Sequence, residues 1–209
     1  MELKNIWGNE WAHDIDFVSK VIRHLKLGKD CKILDVGTGQ GIMAVNLALN
    51  GHSVLTGEPE EGHEAHNHYE QEKGAFEYHH EHQEVSFIDW KEAAKAAGVE
   101  EKIRFKHFNA ENLPFPSESF DAVFLYDALQ HIQDRANALS ECIRVTRHEG
   151  VLCIIEANDD GIKYYKEIEG FDIDKVDPRE ICLNEGVSTE VFEGEYSNAY
   201  ILRPASHYR

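Results

Sequence analysis

A short glycine-rich segment, Gly37-Thr-Gly-Gln-Gly41, separates two stretches of apolar residues early in the chain. The stretch before it, Cys31–Val36, predicts a buried strand, and the stretch after it, Ile42–Leu49, predicts a helix. Glycines permit a tight turn and let a ligand approach the backbone, while the first turn of a helix offers N–H groups without partners. This order of elements predicts a ligand site at the carboxyl end of the strand.

Two acidic residues belong to the strand ends beside this turn. Asp35 lies near the end of the first strand and either faces the ammonium group of a ligand or caps the glycine turn. Glu58 follows the second predicted strand, Ser53–Thr56, where a carboxylate can accept hydrogen bonds from both hydroxyls of a ribose. The alternative for Glu58 is a solvated position in a glutamate-rich loop.

The rest of the chain alternates predicted helices and strands. Asp14 or Asp16 can cap the first helix, and His148–Gly150 is expected to close the helix before the fifth strand. Alternation of this kind predicts an α/β sheet with mostly parallel strands and helices on both faces, while the last two strands predict an antiparallel hairpin at one edge. The expected helices are 15–25, 91–97, 132–143 and 178–183, and the expected strands are 103–108, 120–126, 151–156, 190–193 and 198–202.

The composition limits the classes of protein to which the chain can belong. Its 209 residues, 42% of them apolar, are enough for one domain with a sizeable core. A formal charge of −18 disfavours a nucleic-acid or anionic-membrane surface, because both require concentrated positive charge. The four cysteines are scattered, and no apolar run approaches the length of a membrane-spanning helix. We therefore expect a cytoplasmic domain without a nucleic-acid or membrane partner.

Three segments, taken in order, resemble one known family. They are Ile33-Leu-Asp-Val-Gly-Thr-Gly-Gln-Gly41, Asn109-Ala-Glu-Asn-Leu-Pro-Phe-Pro-Ser-Glu-Ser-Phe-Asp-Ala-Val123 and Asp127-Ala-Leu-Gln-His-Ile132. Together they resemble the class I S-adenosylmethionine-dependent methyltransferases, and most closely the type 11 or ubiquinone-biosynthesis-like group that methylates small molecules. Arg144–Gly150 is similar to the family's segment before strand five, although His148-Glu149 stands where Pro-Gly is usual.

The resemblance implies a fold, a cofactor and a set of binding residues. The fold is a Rossmann-like, doubly wound, mostly parallel sheet of seven strands with an antiparallel C-terminal hairpin, and the cofactor is S-adenosylmethionine. The glycine turn would hold the methionine part of the cofactor, Glu58 the ribose, and Asn109, where the family commonly has Asp, the adenine edge. The cofactor-binding residues so implied are Asp35, Gly37, Thr38, Gly39, Gly41, Glu58, Asn109, Ala110 and Tyr126.

The implied reaction is methyl transfer to a small-molecule acceptor whose attacking atom, oxygen, nitrogen or carbon, stays open. His131 is the candidate general base, because the unperturbed pKa of histidine lies near neutrality. Its alternative role is to pack against or cap the helix that follows strand four. Tyr126 and Asp127 would border cofactor and substrate and complete the catalytic candidates.

We expect residues 1–209 to form a single methyltransferase-like domain with a His- and Glu-rich insert at about 59–89. The insert would be a solvated cap or lid, a wall of the substrate pocket, or a metal site, and we expect no bound metal. Trp7, Trp11 and Tyr69 lie outside the predicted sheet and its helices, and the N-terminal pair, Trp7 and Trp11, would form a lid or pack in the core. Two rival functions remain: a nicotinamide-dependent oxidoreductase, and a non-catalytic regulator that binds a cofactor or metal on the same fold.

Overall fold

The computed structural model describes residues 4–7, 12–60, 88–169, 172–182 and 186–204. Within these ranges seven strands form one sheet, and the last two make an antiparallel hairpin, so the predicted α/β architecture is confirmed. The strands are β1 Ile33–Val36, β2 Val54–Gly57, β3 Ile103–Phe105, β4 Phe120–Tyr126, β5 Thr146–Ala157, β6 Val187–Glu193 and β7 Ser197–Pro204.

Helices precede β1 and lie in the connections from β1 to β2, β2 to β3 and β4 to β5, whereas a loop without a helix joins β3 to β4. No helix in the described ranges is both long enough and apolar enough to cross a membrane. The α-helices are α1 Lys4–Trp7, α2 Ala12–Leu25, α3 Ile42–Leu49, α4 Trp90–Ala97, α5 Arg135–Val145, α6 Asp159–Tyr164 and α7 Pro178–Ile181. Shorter pieces are 3₁₀ turns at Glu100–Lys102 and Leu129–His131 and a π-helical turn at Tyr165–Glu169.

The strand order of the sheet is β3-β2-β1-β4-β5-β7-β6. The first five strands pair in parallel, whereas β7 pairs antiparallel with both β5 and β6. The chain builds outward from β1 to β3 and then returns to add β4 on the other side of β1. A ligand site in such a sheet is expected at this reversal, at the carboxyl ends of β1 and β4.

Apolar side chains of the central strands alternate between two buried layers. Ile33 packs in a layer with α2, α3 and α4, whereas its neighbour Leu34 packs in the opposite layer with α5. Cys153 lies in the first layer, where burial raises the pKa of its thiol to about 12. Cys153 is therefore a buried core residue, while Cys31 is only partly buried at the margin of this layer.

Several predicted boundaries were wrong, and the first helix, the helix after strand four and the sixth strand each begin three residues away from their predicted starts. The fifth strand begins at Thr146 instead of Val151, so His148–Gly150 belongs to the strand and does not close a helix. A register shift accommodates the added residues, because Phe120 pairs with Thr146 and Ala122 already pairs with Val151. The third strand, conversely, ends at Phe105 and leaves 106–108 outside the sheet.

Candidate functional site

The glycine turn lies at the carboxyl ends of β1 and β2. Gly37 donates its N–H to the carbonyl oxygen of Gly57 at 2.9 Å, which fixes the turn to the last residue of β2. Gly41 donates to the carbonyl oxygen of Thr38 at 2.8 Å and is the N-cap of α3. Gly37 and Gly41 have φ values of 93° and 81°, which residues with a Cβ rarely adopt. The predicted strand–turn–helix arrangement is therefore present.

Close packing on both sides also requires glycine in this turn. A Cβ on Gly37 would lie 2.9 Å from the Cβ of Ala128, which follows β4, and a Cβ on Gly41 would lie 2.9 Å from the Cβ of Trp90 in α4. A Cβ on Gly39 would meet no atom of the described residues within 4 Å. The middle of the turn is thus its open part.

Glu58 contacts this open part of the turn. Its Oε2 accepts the N–H of Gly39 at 3.1 Å, and the residue is half-buried. Its carbonyl oxygen accepts the N–H of Phe108 at 3.1 Å, which brings the segment after β3 beside it. The structure therefore places Glu58 against the glycine turn and not in a solvated loop.

Asp35 is a fully buried carboxyl group at the same edge of the sheet. Its Oδ2 accepts a hydrogen bond from Thr56 Oγ1 at 2.7 Å, and Thr56 Oγ1 lies 2.8 Å from Oγ1 of Thr38. Its Oδ1 has no hydrogen-bond partner within the described part of the chain. Burial raises the pKa of Asp35 to about 7, with the charge of Glu58 adding to the effect and the Thr56 bond opposing it. The described bond of Asp35 links β1 to β2 and does not cap the glycine turn.

Asn109 and Ala110 follow the residue that bonds to Glu58. Asn109 is exposed and its Oδ1 accepts the N–H of Glu111 at 2.8 Å, whereas Ala110 is buried. An Asx turn of this kind fixes the backbone locally. The structure thus brings the segment expected to meet adenine next to the residue expected to bind ribose.

Tyr126 ends β4 and donates its hydroxyl to Oδ2 of Asp14 at 3.0 Å. The same oxygen accepts the hydroxyl of Tyr165 at 3.0 Å, and Oδ1 accepts that of Ser197 at 3.0 Å. Burial, together with the Asp14 charge, holds the pKa of Tyr126 well above its usual value. Asp14 therefore joins α2 to three other elements, and it lies within the first turn of α2, which begins at Ala12.

Asp127 begins a turn that continues to His131, called here the 127–131 turn. Asp127 has φ of +49°, its N–H donates to the carbonyl oxygen of Ile155 at 2.8 Å, and its Oδ1 accepts from Gln130 Nε2 at 2.6 Å. Burial, and secondly the charge of Asp14, raises the pKa of Asp127 to about 7. Residues with a Cβ rarely hold positive φ, and such conformations are frequent at functional sites.

His131 ends the 127–131 turn in an exposed position. The helix after strand four is capped instead by Asp134, whose Oδ1 accepts the N–H of Asn137 at 3.0 Å. The capping role considered for His131 is therefore performed by another residue. His131 stands four residues after Asp127, on the same turn at the carboxyl end of β4.

The first helix contributes a contact that sequence analysis left open. Trp7 is 1% exposed, and its Nε1 donates to the carbonyl oxygen of Gln40 in the glycine turn at 3.0 Å. Trp7 thus packs in the core and also touches the ligand-site backbone. The side chain of Trp11, Tyr69 and the six insert histidines, His63, His66, His68, His79, His80 and His82, lie outside the described residues.

Two site residues were missed. Asp14 lies on the apolar face of α2, four residues before Val18, and such a position is a signal that a polar residue is buried. Glu156 ends an otherwise apolar run in β5 and is 3% exposed, so a lone acid at the end of a buried strand was the available signal. Among the described residues, no group of three His, Cys, Asp or Glu side chains is arranged to hold a metal ion.

Comparison with known proteins extends this geometry. A family model described as a methyltransferase domain matches residues 80–154, which include β3, β4 and most of β5 but begin after the glycine turn. The crystal structure of a SAM-dependent methyltransferase from Aquifex aeolicus is similar with a TM-score of 0.63 and 17% identity, covering 96% of each chain. The chain has the class I methyltransferase fold. The fold expected from the resemblance is thus confirmed.

Two other similarities are to a curated relative over a short segment and to a solved structure over most of the chain. A ubiquinone/menaquinone biosynthesis C-methyltransferase of Hahella chejuensis is 42% identical over 59 residues, 28% of this chain and 24% of that protein. The structure titled as the [4+2]-cyclase SpnF has a TM-score of 0.63 at 14% identity and covers 92% of this chain and 82% of that one. The chain matches only 18%, 24% and 37% of the lengths of three curated relatives.

Proposed function

We propose that this chain binds S-adenosylmethionine at the glycine turn and transfers its methyl group to a small-molecule acceptor. The cofactor is supported by the matched methyltransferase domain and by the methyltransferases among the structural neighbours. The observation that carries the proposal is the pairing of two carboxyl groups at one open turn. Glu58 reaches the amide of Gly39, and Asp35 keeps one buried oxygen without a proton donor in the described structure.

These residues suit the chemical groups of the cofactor. Its ammonium and sulfonium groups are cations, which a buried carboxylate such as Asp35 stabilises more strongly than water-exposed charge does. Its ribose hydroxyls are donors for Glu58, and Gly37, Thr38, Gly39 and Gly41 present backbone to the methionine part. Asn109 and Ala110 lie beside Glu58 and would contact adenine, and Tyr126 would border the cofactor at the end of β4.

The cofactor supplies a methyl group on a sulfonium, which an aligned nucleophile can displace. The chain's own contribution is to hold the acceptor, exclude water and handle a proton. A ring nitrogen of His131 would take the proton of a hydroxyl or phenol acceptor, while Asp127 and Tyr126 would line the acceptor's side of the site. A neutral amine could attack before losing a proton, whereas a carbon acceptor, like a hydroxyl, would also have to give up a proton.

Changing His131 tests this division of labour. We expect His131→Ala to reduce turnover of a hydroxyl acceptor by about 100-fold while cofactor affinity stays within about twofold, because general bases contribute factors of this size. Calorimetry and steady-state kinetics measure the two quantities. Unchanged turnover would remove the base role from His131.

The direct test of the function is an acceptor screen. Purified protein would be incubated with S-adenosylmethionine and separate panels of phenols, amines and carbon acids, and the demethylated cofactor product would be quantified by mass spectrometry. We expect one panel to raise product formation well above the acceptor-free rate. Binding of the cofactor without transfer to any panel would favour the non-catalytic rival, and NAD binding would favour an oxidoreductase.

Cyclisation is a second candidate reaction class, and one observation is in its favour. A structural neighbour titled as a [4+2]-cyclase has the same fold, so the fold by itself does not fix the reaction.

We further propose that the 209 residues form one domain with the 59–89 insert, that the protein is cytoplasmic, and that its partner is a small molecule and not a nucleic acid. The formal charge of −18 supports the absence of a nucleic-acid partner, and the scattered cysteines support a cytoplasmic location.

A further inference from the structure

The carboxyl group of Glu156 makes contacts that the proposed reaction does not yet use. Glu156 lies near the end of β5, and its Oε1 accepts the N–H of Ala128 at 3.2 Å and the N–H of Leu129 at 2.9 Å. These are the amides of the N-cap residue and of the first residue of the 3₁₀ turn Leu129–His131. Amides at the start of a helical turn have no partner within it, and Ala128 at the N-cap position has no oxygen in its side chain to accept them. Glu156 supplies this cap from the neighbouring strand.

The carbonyl groups of the 127–131 turn are held from another element. Arg135, at the start of α5, donates its Nε to the carbonyl oxygen of Leu129 at 3.0 Å and its Nη2 to that of Gln130 at 3.0 Å. The turn is thus bound through its amides by β5 and through its carbonyl groups by α5. Because Arg135 is only half-buried and Glu156 is 3% exposed, the amide contacts are the better shielded from water.

The 127–131 turn also contacts the glycine turn. The methyl group of Ala128 lies so close to Gly37 that a Cβ at Gly37 would stand 2.9 Å from it. Asp127, which precedes Ala128, sits at φ of +49° and needs its neighbours to hold that conformation. Release of the turn would therefore move Asp127 and His131 and loosen the support of Gly37.

We propose that Glu156 is a positioning residue for methyl transfer, which holds the 127–131 turn in the geometry that its two proposed catalytic residues require. The inference rests on the proposed function for its catalytic consequence. Its structural part, the capping of the turn by Glu156, stands on the two amide contacts alone.

A neutral oxygen is enough for this task. Burial, followed by the charge of Asp127, raises the pKa of Glu156 to about 8, while the two amides and Arg135 oppose the rise. Asp127 in turn faces Asp14 and Gln130. A protonated carboxyl keeps a carbonyl oxygen that accepts N–H bonds. Glu156→Gln preserves that oxygen and the side-chain length, whereas Glu156→Ala removes it.

Amide hydrogen exchange measures the capping directly and needs no cofactor. We expect Glu156→Ala to speed exchange at Ala128 and Leu129 by about tenfold or more, since loss of a buried acceptor has an effect of this size. Glu156→Gln should stay within about threefold of the wild type. Equal rates in wild type and Glu156→Ala would overturn the proposal, and so would Glu156→Gln exchanging as fast as Glu156→Ala.

The control and the fallback use the same kind of contact. Asp121 accepts the N–H of Lys32 at 2.8 Å where β4 begins, at the other end of the sheet. Asp121→Ala should leave exchange at Ala128 and Leu129 unchanged, and faster exchange there would contradict a local role for Glu156. If Glu156→Ala does not fold, Glu156→Asp keeps a carboxyl of shorter reach, and wild-type exchange in that variant would count against the proposal.

A kinetic split tests the catalytic consequence. With an acceptor from the screen, we expect Glu156→Ala to lower kcat by about tenfold or more and to weaken cofactor binding by a smaller factor. Glu156→Gln should retain the kcat of the wild type. Equal losses of kcat in both variants would contradict positioning. If wild-type protein does not bind S-adenosylmethionine, the proposed function fails, and the exchange rates still decide whether Glu156 caps the turn.

Discussion

Asp35 is a carboxyl group in an electrostatically unfavourable place. It is fully buried, one oxygen lacks a proton donor in the described structure, and its pKa is raised to about 7. A nearby cation would favour the ionised form and lower that pKa. A ligand that brings positive charge therefore gains from contact with Asp35, and it gains more when the carboxyl is already ionised.

The affinity for S-adenosylmethionine should consequently rise with pH. We expect tighter binding at about pH 8 than at about pH 6, because cationic cofactor and ionised Asp35 stabilise each other, and a proton should be released on binding below about pH 7. Calorimetry in buffers of different ionisation enthalpy measures both effects. Asp35→Asn should flatten the profile, and the exposed Asp16→Asn should not. A wild-type affinity that falls over this range would contradict the assignment of Asp35.

Glu58 contacts the same glycine turn but is only half-buried. We expect Glu58→Ala to weaken cofactor binding by about 10- to 100-fold, because hydrogen bonds to a charged group contribute about 1.5–3 kcal/mol. Its fold should persist, since Gly37 and Gly57 remain bonded. The exposed neighbour Glu60 offers a matched control, and Glu60→Ala should bind as the wild type does. Equal affinities for both variants would exclude Glu58 from the site.

At the scale of elements, the glycine turn depends on the packing of α4 against α3. Gly41 and Gly51 both have positive φ, 81° and 99°, but only Gly41 would press a Cβ against Trp90. Alanine in the left-handed region costs about 1–2 kcal/mol at either position. We expect Gly41→Ala to lower the free energy of unfolding by at least about 1 kcal/mol more than Gly51→Ala, because overpacking adds to the backbone strain. Urea unfolding measures the difference. Equal losses of unfolding free energy in the two variants would mean that α4 moves to accommodate the added Cβ without cost.

Much of the element order was readable because hydrophobic periodicity is local. The residues around Gly41 predicted both the turn and the start of α3, and Phe120–Tyr126 was predicted with its observed bounds. The start of β5 was not readable, since Arg147, His148 and Glu149 are polar and join the strand only through pairing across a register shift with β4. Tertiary pairing overrides local pattern in such cases.

The candidate site was readable in its glycine turn and its strand-end acids for the same reason. Its buried network was not, because Asp14 bonds to Tyr165 and Ser197, which lie 151 and 183 positions away in the sequence. Contacts of that separation leave no local spacing. Only the polarity of Asp14 and Glu156 within apolar runs could have indicated them.

At the scale of the whole molecule, the buried acids and the net negative charge both lower the stability of the folded state as the pH rises. The chain carries a formal charge of −18, and Asp35, Asp127 and Glu156 have pKa values raised to about 7, 7 and 8. A raised pKa means that the folded state binds the proton more tightly than the unfolded chain does. The stability it contributes is complete below about pH 4 and is lost as the pH rises through the folded value.

Stability should therefore fall as the pH rises from about 5 to about 8. Below about pH 4 the opposite applies, since Asp121, Glu141 and Asp177 have lowered pKa values and lose their stabilising contacts on protonation. Thermal unfolding at a series of pH values measures the profile. Glu156→Gln should lessen the fall between about pH 5 and 8. A wild-type Tm that rises across this interval would refute the raised pKa values of the buried acids.

The central claim is that the glycine turn, with Asp35 and Glu58, binds S-adenosylmethionine. Calorimetric titration of the wild-type protein with S-adenosylmethionine, its demethylated product and NAD tests it most directly. We predict micromolar binding of the first two, about −8 kcal/mol, and no heat from NAD. Binding of NAD without binding of S-adenosylmethionine, or no binding of any of the three, would contradict the claim.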